Sequence, residues 1–396
     1  MTSKASKTRD PRIVIDARMI NHSGIGRYTR EVIESAKRTS RNVELIANSS
    51  SIGSCGPLGL AIIQFRSGIY TLREQLEFFL KVGRCDLFIS PHYNVPLALP
   101  KAKRRIAILP DTNHLAFARD LSLPKQVYAS FFFRWASFRS KALVTISEFS
   151  KSEIVKFIGT SPERIKVILL AIAPEVFSDE PNSLGTRSEL VQSIAAERFC
   201  LFVGNVKPHK NLKRSLEAFE VLLSRFPDLK FVIVGKKEKL LGLDNDTLKM
   251  LDDADSRFMG RVIATGEISD SELGFLYKRA ACLLFASLYE GFGIPPLEAM
   301  HLGCPVVCSR EGSLPEVCRD AVHYCDGYSA SDIAEKVADM LTNCDLREEL
   351  IARGKTHVQS FHWEKFRLNF SQVIQNALQL GPSDVAEKTV SGAVIK

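Results

Sequence analysis

Residues 282–309, CLLFASLYEGFGIPPLEAMHLGCPVVCS, contain the pattern of a strand, a loop, a helix and a second strand in close succession. The apolar run at residues 282–287 predicts a buried parallel strand. Pro295 and Pro296 favour the first turn of a helix, where a missing backbone N–H costs nothing, and Gly303 favours its end. Ligands of open α/β sheets bind where strands end and helices begin, because free helix N–H groups point there. The stretch therefore predicts an α/β fold with a ligand site at this loop.

Two carboxylates flank the glycines of this loop, Glu290 and Glu298, with seven residues between them. Taken singly, Glu298 is typical of a carboxylate that interacts with a helix dipole, and Glu290 is typical of a charge at a loop edge. Together, around GFGIPP, they match an E-x7-E signature, and the stretch resembles glycosyltransferase family 4. The resemblance implies that Glu290 lies by the donor sugar and that Glu298 grips the ribose hydroxyls of the donor. It also implies that the sugar is held by the backbone of the residues after Glu290, namely Gly291, Phe292, Gly293 and Ile294.

A second motif, GNVKPHKN at residues 204–211, follows the predicted strand at residues 199–203. It resembles the phosphate-binding strand end of the same family, which implies that Lys210 contacts the donor diphosphate. Many relatives carry an Arg where this chain has Asn205, so one positive charge is missing, and Lys207 or His209 is the candidate to replace it. The alternative is that Lys210 is only a surface residue at the start of a helix. This alternative is weakened because a cation is unfavourable at the positive end of a helix dipole.

The first strand, at residues 13–17, leads into a turn at residues 21–26 and a helix predicted at residues 27–38. Gly24 and Gly26 form a G-x-G-x-x-T pattern, which lacks the third glycine of a dinucleotide fingerprint and is weak support for NAD. The sequence SGIGRYTREV resembles the first glycine loop of family 4, which implies that Gly24 and Gly26 face the donor diphosphate. A simple tight turn is the alternative.

Family 4 enzymes often carry a histidine at the end of the strand predicted here at residues 105–109, but Pro110 stands in that place. His114 or His92 is the candidate to take over its role near the reacting sugar. A structural role for either histidine is at least as well supported by the sequence.

A chain of 396 residues is too long for one ordinary core and predicts two domains. The resemblance implies a GT-B fold, with two Rossmann-like doubly wound domains facing across a cleft. We predict an acceptor domain at residues 1–185 and a donor domain at residues 186–380, followed by a disordered tail at residues 381–396. The last helix, at about residues 361–380, is expected to cross back to the first domain.

Composition and motif content argue against several other classes of protein and site. The nine cysteines show no metal-ligand spacing, which indicates reduced thiols and neither a disulfide framework nor a zinc site. The net charge of +8 is dispersed and no nucleic-acid motif accompanies it.

Two D-x-D matches, at residues 244–246 and 253–255, lie in a polar connector and are interpreted as solvated surface, so no metal site is predicted. No secretory signal and no apolar run of ~18 residues is visible, which predicts a cytoplasmic protein.

The helix predicted within residues 125–141 is rich in aromatic residues. Tyr128, Phe131, Phe132 and Trp135 share one helical stripe, which predicts a core contact. Phe133 lies off the stripe, beside basic residues, so contact with a membrane surface is the less favoured alternative.

The sequence as a whole thus predicts a retaining, metal-independent glycosyltransferase without a bound cofactor, with Glu290, Lys210 and His114 as catalytic residues. The resemblance favours GDP-mannose as donor and a glycan or lipid-linked acceptor in surface polysaccharide synthesis, with peripheral contact at the cytoplasmic face of the membrane. A non-catalytic nucleotide-binding or scaffold protein and a nucleotide-sugar epimerase are the alternatives. The sequence does not specify the nucleotide base, the sugar, the acceptor, the linkage or the oligomeric state.

Overall fold

The computed structural model describes residues 10–97, 99, 101–117, 122–173, 188–204, 207–235, 245–252, 257–258 and 260–379. The chain divides into two compact units. Unit 1 comprises residues 1–169 and 363–396, and unit 2 comprises residues 170–362. The predicted domain boundary at residues 185–186 and the predicted tail at residues 381–396 lie outside the described residues and stay predictions.

A parallel sheet forms the centre of unit 1. Its strands are β1 (Ile13–Asp16), β2 (Val43–Ala47), β3 (Ala61–Gln64), β4 (Cys85–Ser90), β5 (Ala102–Ile108), β6 (Ala142–Thr145) and β7 (Ile165–Val167). They lie in the order β3-β2-β1-β4-β5-β6-β7, and every pair is parallel. In the central register Ile15 pairs with Leu45 on one side and Ile89 on the other. This is a doubly wound order, in which the chain reverses direction along the sheet between β1 and β4.

Helices connect these strands. They are α1 (Ser23–Thr39), α2 (Ile52–Cys55), α3 (Leu72–Lys81), α4 (Asn113–Ala116), α5 (Leu123–Arg139) and α6 (Glu148–Ile158). Side-chain caps fix the first residues of two of these helices. At α3 the Thr71 hydroxyl accepts from the backbone N–H of Glu74, and at α6 the predicted cap Ser147 accepts from the backbone N–H of Ser150.

The buried face of α5 differs from the prediction. Phe133 is buried and stacks on Tyr93 at a ring-centroid distance of 4.4 Å, whereas Phe131 is exposed. The buried side chains Ala129, Phe132, Phe133 and Ala136 form a stripe one residue away from the predicted one. Because aromatic residues lie on several sides of this helix, hydrophobicity could not select the buried face, and packing against the sheet did.

Unit 2 is built around a second parallel sheet. Its strands are β8 (Phe199–Val203), β9 (Lys230–Val234), β10 (Val262–Gly266), β11 (Cys282–Phe285), β12 (Val306–Ser309) and β13 (His323–Cys325), in the order β10-β9-β8-β11-β12-β13. The predicted α/β fold with two doubly wound sheets is therefore confirmed. The sequence did not predict the outer strands β3 and β13.

The helices of unit 2 are α7 (Glu189–Ala195), α8 (Leu212–Leu223), α9 (Asn245–Asp252), α10 (Asp270–Arg279), α11 (Ile294–His301), α12 (Leu314–Cys318), α13 (Ala330–Thr342) and α14 (Cys344–Val358). A capping box between Ser269 and Glu272 begins α10. The core joins Phe202 and Phe231 of the sheet to Phe219 of α8 and Val337 of α13.

The last described helix, α15 (Trp363–Gln379), belongs to unit 1 and packs against α1, β4 and β5. Its buried face includes Trp363, Phe366 and Phe370. On the α1 side, Arg367 Nε donates to Glu31 Oε2 at 2.5 Å, and Ser371 Oγ donates to the Ser35 carbonyl at 3.0 Å. Helix α15, which follows unit 2 in the sequence, thus completes the core of unit 1.

Candidate functional site

The sheet of unit 2 changes direction between β8 and β11, which are neighbours in space but are separated by β9 and β10 in sequence. The loops that leave the carboxyl ends of two such strands diverge and open a crevice, which is the usual ligand site of doubly wound sheets. Residues 204–211 follow β8, and residues 286–293 follow β11. Both sequence motifs of unit 2 therefore meet at this edge.

Lys210 and Glu290 form an ion pair across the two loops. The distance from Lys210 Nζ to Glu290 Oε1 is 2.5 Å, although 80 residues separate the two in sequence. Both side chains are largely buried, and the Lys210 ammonium lies 5.4 Å from the centroid of the Phe285 ring. The attraction between a partly desolvated cation and a carboxylate or phosphate is stronger than in bulk water, because the local dielectric constant is lower.

Asn211 links the loop after β8 to the loop after β11 by hydrogen bonds. It adopts a left-handed conformation, with φ of 60°, and its Nδ2 donates to the carbonyls of Ala286 at 2.9 Å and Gly327 at 2.7 Å. The carbonyl of His209 accepts from the backbone N–H of Leu288 at 2.7 Å and from Ser287 Oγ at 3.0 Å. These bonds fix the position of Lys210 relative to the β11 loop.

The glycine loop at residues 291–293 is held by the segment after β12. Ser313 Oγ bonds to the carbonyls of Glu290 at 3.0 Å and Phe292 at 2.9 Å. Gly312 has a φ of 63°, and a Cβ there would lie 2.7 Å from the backbone nitrogen of Glu290. Gly293 has a φ of 99°, and its Cβ would lie 2.7 Å from Leu314 Cδ2. Glycine is therefore required at both positions.

Glu298 lies on α11, directly after this loop, and only 3% of its surface is exposed. The Tyr277 hydroxyl, which is buried on α10, donates to Glu298 Oε2 at 3.2 Å. Because Pro295 and Pro296 have no N–H, Ile294 and Leu297 carry the backbone donors among the first four positions of α11.

His209 is less suited than Lys207 to supply the missing positive charge. Burial, together with the neighbouring charges of Lys210 and Lys207, lowers the pKa of His209 to about 3. The imidazole is therefore neutral at pH 7. Lys207 is exposed, so it remains as the candidate from the sequence, while Asn205 lies outside the described residues.

In unit 1 the predicted turn at residues 21–26 is wrong at its end, because α1 begins at Ser23 and both Gly24 and Gly26 lie in its first two turns. A Cβ at Gly26 would lie 2.1 Å from the Ile20 carbonyl oxygen, so the preceding backbone packs directly on this glycine. A Cβ at Gly24 would meet nothing within 4 Å. The fold therefore explains Gly26 and leaves Gly24 open to a ligand role.

His92 and His114 lie in one aromatic cluster around Tyr93. The ring centroids of His92 and His114 are 4.0 Å and 5.4 Å from that of Tyr93. Burial and the nearby charges of His114, His22 and Arg18 lower the pKa of His92 to about 3, so this ring is neutral at pH 7. Which histidine takes the role expected at Pro110 stays a prediction.

Sequence reasoning missed three side chains that hold the site together: Asn211, Ser313 and Tyr277. Asn211 directly follows the helical turn Pro208–Lys210, and the position after a helical turn favours residues that tolerate the left-handed conformation, such as asparagine. Ser313 and Tyr277 have no local signal, because their partners lie 23 and 21 residues away.

In the described part of the chain, no three His, Cys, Asp or Glu side chains gather closely enough to hold a metal ion. The pairs at residues 244–246 and 253–255 extend beyond that part, so the absence of a metal site stays a prediction. All nine cysteines are free thiols, and eight are buried. None of the helices in the described ranges combines the length and apolar character that crossing a bilayer requires.

Residues 190–357 match the protein family described as "Glycosyl transferases group 1". The match includes Lys210, Glu290 and Glu298. The matched residues lie in unit 2 and make up less than half of the chain, so the match concerns that unit. It confirms the resemblance that the E-x7-E and GNVKPHKN motifs carried.

Two proteins that are similar in sequence are named for the O-antigen chain. "O-antigen chain mannosyltransferase B" of Escherichia coli is 32% identical over 229 residues, which are 57% of this chain and 58% of that protein. "O-antigen chain mannosyltransferase RfbU" of Salmonella typhimurium is 25% identical over 310 residues, 78% of each chain. The alignment thus spans little more than half the length of the first of these relatives.

Solved structures share the fold. The structure of Anabaena Alr3699/HepE in complex with UDP and glucose superposes with a TM-score of 0.73 at 15% identity, covering 92% of this chain and 100% of that one. The structure of WaaG, "a glycosyltransferase involved in lipopolysaccharide biosynthesis", gives 0.68 at 18% identity, covering 91% and 99%. These likenesses concern the fold alone, and they confirm the predicted GT-B class.

Proposed function

We propose that this chain transfers a hexose from a nucleotide-diphosphate sugar to a glycan or lipid-linked acceptor, with retention of configuration and without a metal ion. The observation that carries the proposal is the ion pair between Lys210 and Glu290 at the edge where β8 and β11 part. A fixed cation and a carboxylate beside a glycine loop are the groups that a charged diphosphate and a hydroxylated sugar require.

Lys210 is assigned to the donor diphosphate. A leaving nucleoside diphosphate gathers negative charge, and a cation that is already oriented stabilises it without reorganisation. In the structure Lys210 is bonded to Glu290, and donor binding would give the ammonium a phosphate partner and free the carboxylate for sugar hydroxyls. The backbone of residues 291–294 would contact the same sugar.

Glu298 is assigned to the ribose. A carboxylate can accept two hydroxyl hydrogen bonds, and Tyr277 fixes the orientation of this one. In unit 1, Gly24 is assigned to the diphosphate and His114 to the reacting sugar. Gly26 keeps its assignment to the diphosphate as a proposal, although its contact with Ile20 gives it a structural role as well.

GDP-mannose is the favoured donor, because the two relatives are named mannosyltransferases. The HepE structure holds UDP and glucose, so the nucleotide base is what an experiment must decide. Surface polysaccharide synthesis at the cytoplasmic face of the membrane is the proposed setting, because both relatives are named for the O-antigen chain.

Thermal unfolding with GDP, UDP, ADP and dTDP, with and without chelator, tests donor binding. A ligand specific for the folded state stabilises it by about 2.7 kcal/mol at a hundredfold excess over Kd. We expect one nucleotide to raise Tm regardless of chelator, and Glu298→Gln to abolish the shift. Transfer or hydrolysis of the matching sugar nucleotide should then be lost in Lys210→Ala. Intact activity in both variants would contradict the site assignment.

A non-catalytic nucleotide-binding protein is the second candidate. Two sequence departures favour it, because Asn205 and Pro110 stand where the resembled family often carries an arginine and a histidine. Nucleotide binding without transfer or hydrolysis of any sugar donor would select this candidate.

A further inference from the structure

A cavity of about 290 Å³ lies at the carboxyl end of α11, the end opposite the glycine loop. All of its described lining residues belong to unit 2. One wall is apolar and is formed by the buried side chains of Ile172, Val358 and Phe361. Small-molecule sites measure about 300–1,000 Å³, so this cavity fits a ligand of monosaccharide size and is too small for a nucleotide sugar. We call it the α11 cavity.

The other wall of the α11 cavity is polar. It is formed by four side chains, those of His301, Lys355, Gln359 and His362. Within the residues that the structure describes, none of these four side chains forms a hydrogen bond or an ion pair, and no acidic residue lines the cavity. The wall therefore offers one cation and several N–H donors, a combination that favours an anionic ligand.

Lys355 is held at this wall by the end of α11. Its Nζ lies 3.3 Å from the position that a Cβ would take at Gly303, which directly follows the C-cap of that helix. The negative end of a helix dipole favours a cation, so the ammonium is held there without a carboxylate partner among the described residues. In the same wall, burial and the charge of Lys278 lower the pKa of His301, so this ring is neutral at pH 7 and adds an N–H donor.

Phe361 connects the α11 cavity with the glycine loop. Its ring lines the cavity and also packs edge-to-face against Phe292, with 6.1 Å between the ring centroids. The His357 ring, 5.2 Å from that of Phe361, donates from Nε2 to the Val317 carbonyl of α12 at 2.7 Å. A ligand in the cavity would therefore contact the side chain that supports Phe292.

We propose that the α11 cavity binds a hexose phosphate and that this ligand strengthens donor binding at the glycine loop. Lys355 and His301 would bind the phosphate, the remaining polar side chains the sugar hydroxyls, and the apolar wall the carbon face of the ring. Because a ligand packed against Phe361 restricts that ring and, through Phe292, the glycine loop, the donor then loses less conformational freedom on binding. The binding site does not depend on the proposed function, whereas the coupling rests on it.

Calorimetric titration of the full-length protein with mannose 6-phosphate, mannose 1-phosphate and glucose 6-phosphate tests the site. We expect one of them to bind wild-type protein, and Lys355→Ala or His362→Ala to weaken that binding roughly tenfold, because each removes a polar contact with the ligand. Lys249→Ala is the matched control, because this lysine of α9 in unit 2 is exposed, as Lys355 is. The hexose phosphate should still bind to Lys210→Ala, which separates the cavity from the donor crevice.

The coupling is tested with the nucleotide that stabilises the protein. Its Kd should fall roughly fivefold when the hexose phosphate is bound, and the nucleotide should strengthen binding of the hexose phosphate by the same factor. In Lys355→Ala the nucleotide alone should bind as in wild type, and the same concentration of hexose phosphate should no longer change its Kd.

Several outcomes would overturn the site: no binding of any of the three hexose phosphates, equally tight binding of mannose or inorganic phosphate, or unchanged binding in both cavity variants. Loss of binding in Lys210→Ala would assign the hexose phosphate to the donor crevice and also overturn it. Binding without a change in the nucleotide Kd would overturn the coupling. If no nucleotide binds while the hexose phosphate still does, the proposed function fails and the coupling with it, but the site stands.

Discussion

Tyr277 illustrates how one side chain outside the motifs sets the properties of a residue inside them. Its hydroxyl is a hydrogen-bond donor to a carboxylate that is almost fully buried on α11. A buried carboxylate that loses a hydrogen-bond donor loses part of the compensation for its desolvation. The orientation of Glu298 thus depends on a residue whose sequence position gives no sign of it.

We therefore predict that Tyr277→Phe costs about 1–3 kcal/mol of folding stability. It should also weaken binding of the stabilising nucleotide roughly tenfold, which corresponds to about 1.4 kcal/mol. Tyr324→Phe is the matched control, because the Tyr324 hydroxyl is buried without a hydrogen-bond partner in the described part of the chain. Calorimetric titration with equal affinities for the two variants would show that Tyr277 does not position Glu298.

At the scale of elements, glycines in two strand-to-helix connections carry different meanings. Gly293 begins α11 in a left-handed conformation and faces Leu314, so the turn itself requires it. Gly24 lies in the first turn of α1 with open space around its Cα, so the helix does not require it. The two positions thus distinguish a glycine that the turn requires, Gly293, from one whose ligand role stays a proposal, Gly24.

Gly293→Ala should destabilise the protein by at least about 1–2 kcal/mol, because alanine is strained at this φ and its Cβ would clash. Gly24→Ala should leave stability unchanged or raise it by up to about 1 kcal/mol, because alanine favours a helix. If Gly24 faces the donor diphosphate, the same variant should nonetheless lower sugar transfer. Denaturant unfolding and an activity assay on both variants check this, and a fully active Gly24→Ala would refute the ligand role.

At the scale of the whole molecule, unit 1 is assembled from the two ends of the sequence. α1 and α15 are joined by the Arg367–Glu31 and Arg38–Glu364 ion pairs and by the buried aromatic face of α15. The Arg38–Glu364 pair is exposed and contributes little, so the aromatic face carries most of this stabilisation, with the partly buried Arg367–Glu31 pair beside it. The stability of unit 1 therefore depends on residues that lie beyond unit 2 in the chain.

Phe370→Ala should reduce the free energy of unfolding by about 3–5 kcal/mol, because this side chain is fully buried between α15 and its neighbours. Leu368→Ala, on the exposed side of the same helix, should change it by less than about 0.5 kcal/mol. Denaturant unfolding of both variants is the measurement. A similar cost for the two would mean that α15 is not an integral part of the core.

The sequence by itself determined the elements whose signals are local. Continuous apolar runs predicted β8 at the bounds observed and β11 from its observed start at Cys282, because strands covered on both faces leave little ambiguity. The spacing of Glu290 and Glu298 around one loop likewise identified both as candidate site residues. The sequence did not predict the short outer strands β3 and β13, since a few residues at a sheet edge are too short to show a clear hydrophobic pattern.

Tertiary structure alone decided what depends on partners distant in sequence. It turned α5 so that Phe133 is buried and Phe131 exposed, because aromatic residues on several sides of a helix leave the choice to the sheet beneath. It also joined Lys210 to Glu290 and linked their loops through Asn211. It likewise placed Ser313 against the glycine loop and Tyr277 against Glu298. A sequence pattern reports the periodicity of one segment, whereas a site formed where β8 and β11 part depends on which strands become neighbours.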